Sequence, residues 1–238
     1  MKVDILAIGV HPDDIELSCS GYLLKEIKAG KTVALLDLTL GELGTRGNAK
    51  LRKKEALEAG HKMGALSREL LDLGDGFFEN NEKCIRAIIT QIRRWQPDII
   101  LANAVEDRHP DHGRAAALTA RAAYLSGLRK IETRYKGKKQ DAWRPVAVYH
   151  YIQDYALTPD VVVDISGFVE QKMDLIKTFR SQFYDPNSKE PQSPISSSEF
   201  LEFQIAKARV FGRYIQVDYA EAFTITRPIG VSSLLVLK

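Results

Sequence analysis

The strongest constraint on this chain is a tetrad that occurs twice, each time directly after an apolar run. His11-Pro12-Asp13-Asp14 follows residues 3–10 (VDILAIGV), and His109-Pro110-Asp111-His112 follows residues 99–105. Each run is short and apolar, as expected of a strand buried on both faces. A proline at the start of each following segment suits the first turn of a helix, where its missing N–H is not needed. Acids there meet the positive end of the helix dipole. The chain must therefore build two strand–loop–helix units whose loops both carry metal-capable side chains.

The rest of the pattern agrees. Residues 32–40 form a second buried strand after a helix closed by Gly30, so strands 1 and 2 run parallel. A glycine-spaced loop (GELGTRG, 41–47) leads to a helix over 49–63. A strand over 68–73 and a helix over 81–95 precede the fourth strand, 98–105. A helix over 113–126, a basic excursion at 130–145 and a strand at 146–152 follow. Beyond these the pattern predicts a strand at 161–165, a helix over 168–183, a helix over 199–215 and an extended tail. Strand–helix alternation of this kind predicts an α/β, three-layer Rossmann-like domain. Its sheet is mostly parallel, in order 3-2-1-4-5, with a carboxyl-terminal elaboration. No linker or repeat divides the chain, so residues 1–238 read as one domain.

In that strand order, strands 1 and 4 are neighbours at the switch point, where the loops diverge and ligands bind. The two tetrads therefore face one crevice. Dinucleotide binding is excluded, because Gly9-Val10-His11-Pro12-Asp13-Asp14 replaces the required Gly-x-Gly-x-x-Gly and two acids would repel a pyrophosphate.

Catalytic zinc takes three protein ligands and keeps a position for water. His11, Asp14 and His112 supply such a set, which also accommodates iron(II) or cobalt. Asp13 is left beside the metal to take a proton from the bound water. His109 can donate a proton or stabilise an oxyanion, and Asp111 can orient His109 through its ring N–H. This constellation fits metal-assisted hydrolysis of an amide. A lone His-Pro-Asp is more often a capped turn; two at adjacent strand ends are not. His61, in a lysine-rich helix, and His150, within a strand, read as structural.

Composition closes off other classes. With 45% hydrophobic and 27% charged residues, the chain is an ordinary globular protein. The net charge of +3 is small, and the basic runs at 50–54 and 136–139 lack interleaved aromatics, so no nucleic-acid partner is expected. No signal-like or membrane-spanning segment is evident. Cys19 and Cys84 stand apart as buried thiols, which points to the cytoplasm.

The tetrads, with the stretches EDRHPDHG (106–113), PDVVVDIS (159–166) and KTFRSQFYDP (177–186), resemble the zinc N-acetylglucosaminyl deacetylases of the PIG-L/LmbE-like superfamily. The bacillithiol-biosynthesis branch is the most similar, and the resemblance spans almost the whole chain. It implies zinc on His11, Asp14 and His112, Asp13 as general base, and His109 as acid or oxyanion partner supported by Asp111. It further implies that Arg52 contacts substrate and that Asp75 holds sugar hydroxyls. The implied substrate is N-acetylglucosaminyl L-malate, deacetylated to glucosaminyl malate and acetate; other N-acetyl sugars, such as chitooligosaccharides or thiol-linked sugars, are the alternative. A homo-oligomer, in some members a hexamer, is also implied. A non-catalytic metal-containing α/β binding module remains as a reading of a different class.

Two positions depart from relatives. Ile15 separates Asp14 from Glu16, as in the bacillithiol branch, and Asp107 stands where relatives acting on a mycothiol precursor have tyrosine. Arg108 has two readings, a contact for an acidic aglycone or a solvated arginine. Glu42 and Arg46 of the GELGTRG loop are secondary candidates for polar contacts. The polar segment 184–198 is a lid or a surface loop.

Overall fold

The computed structural model describes residues 2–236. Its main sheet has the order β3-β2-β1-β4-β7-β9-β8, with β1 Ile5–Gly9, β2 Val33–Asp37, β3 Ser67–Leu70, β4 Ile99–Ala102, β7 Ala147–Tyr151, β8 Val161–Asp164 and β9 Ala220–Thr224. The first five of these spatial positions are parallel and carry the expected order, with β7 as the fifth strand of the alternating pattern. The order then extends beyond the expectation. β9 inserts between β7 and β8, antiparallel to both. The segment expected as an extended tail thus supplies a buried strand. Its sequence AEAFT has no β-branched residue before the final threonine, so local propensity hides it. A two-stranded ribbon, β5 (Arg134–Tyr135) and β6 (Lys138–Lys139), lies in the basic excursion.

Side-chain alternation divides the core in two. Leu6, Ile8, Ala34 and Leu36 face α3 (Glu82–Trp95) and α4 (Pro110–Leu125). Ile5, Ala7, Val33 and Leu35 face α1 (Asp14–Lys28), with Met63 of α2 (Ala49–Met63) in the same cluster. α5 (Val169–Ile176) packs beside α1 and α2, and α6 (Ser198–Tyr214) covers β9 through Phe211. α5 is shorter than the 168–183 expected. Beyond it the chain coils in tight turns, and Glu55 accepts the Ser181 N–H that a continuing helix would use, together with the Ser181 hydroxyl.

Two features bear on the site. The pairing Ile5↔Ile99 through Ala7↔Leu101 sets β1 and β4 side by side, so their carboxyl-end loops share one crevice. Behind the first loop, Arg68 is buried between Asp37 and Glu16, with Nε 2.7 Å from Asp37 Oδ2. Glu16 is thereby a partner of the sheet and no member of the crevice. Among the described residues, no helix is long and apolar enough to cross a membrane.

Candidate active site

The two tetrads start their helices at different points. After β4, His109 is the N-cap of α4: its Nδ1 accepts the Asp111 N–H at 3.2 Å, and Pro110 is the first helical residue. After β1 the helix begins two positions later in the motif, at Asp14, and not at Pro12 as the proline suggested. Asp13 occupies the turn between with φ 123° and ψ −23°, a left-handed backbone in which a non-glycine residue is strained. Such strain costs about 1–3 kcal/mol and persists only when its surroundings over-determine it.

Arg52 does that here. Its Nη2 donates to Asp13 Oδ2 at 3.1 Å and to the Pro12 carbonyl at 2.9 Å, and Nη1 donates to the Gly41 carbonyl at 2.9 Å. Gly41 has φ +64°, and a Cβ there would run into the Arg52 guanidinium. The first glycine of GELGTRG therefore makes room for the clamp on Asp13. Arg52, expected as a substrate contact, lines the crevice but is buried and committed to the first loop.

Asp14 is fixed on one side and open on the other. Its Oδ2 accepts from the Val10 and His11 N–H groups and from Asn103 Nδ2, at 2.9–3.0 Å. Its Oδ1 faces His112 Nε2 at 3.2 Å and accepts from Gln153 Nε2 at 3.1 Å. His11 Nδ1 is 3.9 Å from Asp14 Oδ2, while its Nε2 meets Asp75 Oδ1 at 2.9 Å and Asp111 Oδ2 at 3.4 Å. One nitrogen from each of His11, His109 and His112 lies within 4.8 Å of the others, and one donor atom from each of His11, Asp75 and Asp111 does likewise. Of the expected trio, Asp14 touches His112 and lies 3.9 Å from His11, but among the described residues neither group of mutually close donor atoms includes it, and His109 stands in its place beside the other two histidines.

Other expected residues fall into different roles. The Asp111 carboxylate takes Gly76 N–H at 2.9 Å, Arg114 at 3.1 Å and His11, whereas His109 receives only the Asp111 backbone N–H. Asp111 supports His11 here; the expected ring N–H bond from His109 is absent. Asp75 holds His11 and the Leu43 N–H. Arg108 is at the rim, paired through Nε with Asp154 at 2.6 Å. Glu42 accepts the Asp75 N–H, and Arg46 is buried against the Gln182 and Phe183 carbonyls and Ser188, so both brace loops. His150 is buried, its Nδ1 on the Asn103 carbonyl, and His61 is exposed on α2, each away from the crevice.

Two residues went unread in the sequence, Gln153 and Asn103, and the role of a third, Asp107, was missed. Asp107 Oδ2 lies 2.6 Å from His112 Nδ1, and its Oδ1 accepts the Asp154 and Tyr155 N–H groups at 2.8 Å. Gln153, just past β7, reaches Asp14 and lies 3.4 Å from His112. Asn103 joins Gln153 to Asp14. The available signal was topological: Asn103 and Asp107 follow the carboxyl end of β4, the neighbour of β1, and Gln153 follows that of β7, the next strand out.

Electrostatics single out a cation site. Burial opposes charge on His11, but Asp111, Asp75 and Asp14 raise its pKa to about 10. Burial likewise opposes charge on His112, and Asp14 and Asp107 raise it to about 9. Burial pushes Asp14 up, yet His112 and His11 hold it well below the usual carboxylate range. Burial raises Asp13 to about 7 against the pull of Arg52, with Asp14 adding to the rise. His109 is lowered by burial and by the two neighbouring imidazoles. Several carboxylates converge on two imidazoles, and the fixed cations touching them are Arg52 on Asp13 and Arg114 on Asp111. A divalent cation fits this donor set, because it would satisfy the charge that protons on His11 and His112 otherwise balance. These residues open onto a cavity of about 340 Å³, with Thr45, Arg46, Ser193 and Ile195 on its far wall.

Residues 6–124 match the family model described as PIG-L: GlcNAc-PI de-N-acetylase. The diacetylchitobiose deacetylase of Thermococcus kodakarensis is 30% identical over 189 residues, 75% of this chain and 70% of its own length. Of solved structures, the conserved protein TT1542 from Thermus thermophilus superposes with a TM-score of 0.85 at 31% identity, covering 98% of each chain. GalB, the 4-carboxy-2-hydroxymuconate hydratase of Pseudomonas putida, shares the fold alone, at 20% identity and a TM-score of 0.77 over 98% of this chain and 100% of that one. The chain belongs to the PIG-L de-N-acetylase family. It is a deacetylase, a hydrolase acting on an amide bond.

Proposed function

We propose that this protein is a zinc enzyme that removes acetate from N-acetylglucosaminyl L-malate, a step of bacillithiol biosynthesis. The observation that carries the reading is Asp13, a strained and buried carboxylate next in sequence to Asp14 and outside the contacts that Asp14 makes with His11 and His112, the proposed donors. A purely structural zinc site closes with four ligands and has no use for a spare base.

Zinc, when bound, would supply Lewis acidity and a water of lowered pKa. His11, His112 and the Oδ1 of Asp14 would hold it, since Oδ2 is already taken up by three donors. Asp13 accepts the proton of the attacking water, and its environment near neutral pH suits both taking that proton and returning it to the leaving amine. Arg52 keeps the carboxylate in place throughout. His109 accepts the Asp111 N–H at Nδ1, so in its neutral form the proton is on Nε2. That assignment favours His109 as a hydrogen-bond donor to the tetrahedral oxyanion over a role as proton source for the amine. Asp111 and Asp75 steady His11.

Malate is supported by Arg108, which lines the cavity and pairs with Asp154 through Nε. The similarity to a diacetylchitobiose deacetylase supports a second reading, in which the same site deacetylates chitooligosaccharides. Residues 1–238 act as one domain in this proposal, in the cytoplasm, as a homo-oligomer that sedimentation would size against a hexamer. The deciding experiment is metal analysis combined with acetate release from N-acetylglucosaminyl malate and from diacetylchitobiose, for wild type and Asp13→Ala. The expected result is stoichiometric zinc in both proteins, release by wild type that favours the malate conjugate, and near-loss of release in the variant. Unchanged release by zinc-loaded Asp13→Ala would overturn the role of Asp13, and a preference for diacetylchitobiose would overturn malate.

A further inference from the structure

A second concave surface adjoins the catalytic cavity. It is a groove of about 590 Å³ between α6 and residues 154–159 of the loop after β7. Phe203, Val210 and Tyr214 line it from α6, and Tyr155 from the loop; all four are exposed. Scattered exposed apolar residues are ordinary, but four gathered in one concavity mark a binding surface.

The groove and the cavity share a wall. Arg108 lines the cavity, Asp154 lines the groove, and the ion pair between them is all that joins the two side chains. A pair this exposed is weak, so the partition is easily opened. The groove is also tied to the reacting centre from behind. Lys207 on its inner side donates to the Gln153 carbonyl at 3.0 Å, and the Gln153 side chain reaches Asp14 and lies near His112.

We propose that this groove is an aglycone subsite, which takes a flat apolar group, such as an aryl ring, carried by the amino sugar whose acetamide lies in the cavity. The reading rests on the deacetylase assignment for the sugar end only, and concerns a further substrate class: the malate conjugate, which carries no apolar group, would leave the groove empty. Continuity through Arg108 favours an aglycone over a second protein molecule, and the aromatic side chains offer the edge and face contacts an aryl ring uses. An aglycone that carried both an acid and an apolar group would meet Arg108 first and the groove beyond it.

The test uses the full-length zinc-loaded protein with Phe203→Ser and Tyr214→Ser. Acetate release is compared for N-acetylglucosamine and its phenyl glycoside, and binding of phenyl glucoside, which has no acetamide, is followed by saturation-transfer NMR. The wild type should favour the phenyl glycoside by about tenfold in kcat/KM. Each variant should bring that ratio towards unity, leave the free sugar within about twofold and lose the phenyl glucoside signal. Equal kcat/KM for the two sugars in wild type overturns the proposal. If neither sugar is deacetylated but phenyl glucoside still binds in a Phe203-dependent way, the assignment of the sugar end fails and the subsite stands. If the variants keep phenyl glucoside binding and change the sedimentation coefficient, the groove is a contact between copies and the proposal falls.

Discussion

The two His-Pro-Asp tetrads are spelled almost alike and are built differently. The second is a relaxed helix cap, with His109 as N-cap and Pro110 in the first turn. The first delays its helix to Asp14 and holds Asp13 at positive φ under an arginine clamp. Residues in the third position consequently diverge: Asp13 lines the cavity and is held through Oδ2 by Arg52 alone among the described residues, whereas Asp111 is bound to Gly76, Arg114 and His11. Equal letters at equal spacing do not mean equal roles. The point at which the helix starts decides which way each side chain faces.

The sharpest way to break this comparison is to exchange the third residues. Asp13→Ala should lower kcat by about 10²–10⁴ with zinc retained, the usual contribution of one general base, while Asp111→Ala should lower zinc affinity first. Steady-state kinetics beside metal analysis would show it, and similar profiles for the two variants would erase the distinction.

Next in size is a pH effect on the metal-free protein. His11 and His112 have folded pKa values raised above the unfolded value near 6.5. Their contribution to stability is therefore complete below about pH 6.5 and is lost as pH rises through about 9 to 10. Thermal melts in chelator should fall over that range by the equivalent of a few kcal/mol, on the order expected for such linkage. Zinc-loaded protein, whose imidazoles are neutral ligands, should hold steady up to about pH 9. Parallel curves would mean that the two histidines do not bind the metal.

Asp107→Asn probes the second loop alone. The carboxylate fixes the Nδ1 side of His112, leaving Nε2 towards Asp14, and loss of such an orienting partner weakens metal binding by about 10–100-fold. A competition titration with a chromophoric chelator reads this directly, and kcat at saturating zinc should change far less. Smallest of all is the proline comparison. Pro110→Ala should cost about 0.4–1 kcal/mol in urea unfolding through the greater freedom of the unfolded chain. In Pro12→Ala the carbonyl still accepts Arg52, so the cost should be similar; a much larger loss would place the constraint on Asp13 in the proline ring and not in Arg52.

The sheet order around the site and the convergence of both loops could be read from the sequence, because apolar runs, helix starts and the switch-point rule all act locally or through topology. The metal-capable residue types of both loops could be named for the same reason. What escaped depends on contacts distant in sequence. Arg52 reaches Asp13 across 39 positions, Gln153 reaches Asp14 across 139, and β9 becomes a strand only by pairing on both sides. Asp107 was visible as an unusual residue, but its bond to His112 depends on where β4 releases the chain. The hydrogen bond expected from His109 to Asp111 failed because α4 begins early enough to turn the Asp111 carboxylate towards Gly76.

The strain at Asp13 has an evolutionary side. Aspartate and glycine codons differ by a single base, and glycine would relax the backbone at that position at once. The relaxed protein would have lost its base, so the easiest path to a more comfortable fold runs through inactivation. Arg52 obstructs that path: a glycine at position 13 would leave a buried guanidinium without its carboxylate, offsetting the relief in the backbone. The clamp thus does for lineages what it does within the molecule, and keeps an uncomfortable residue where it is.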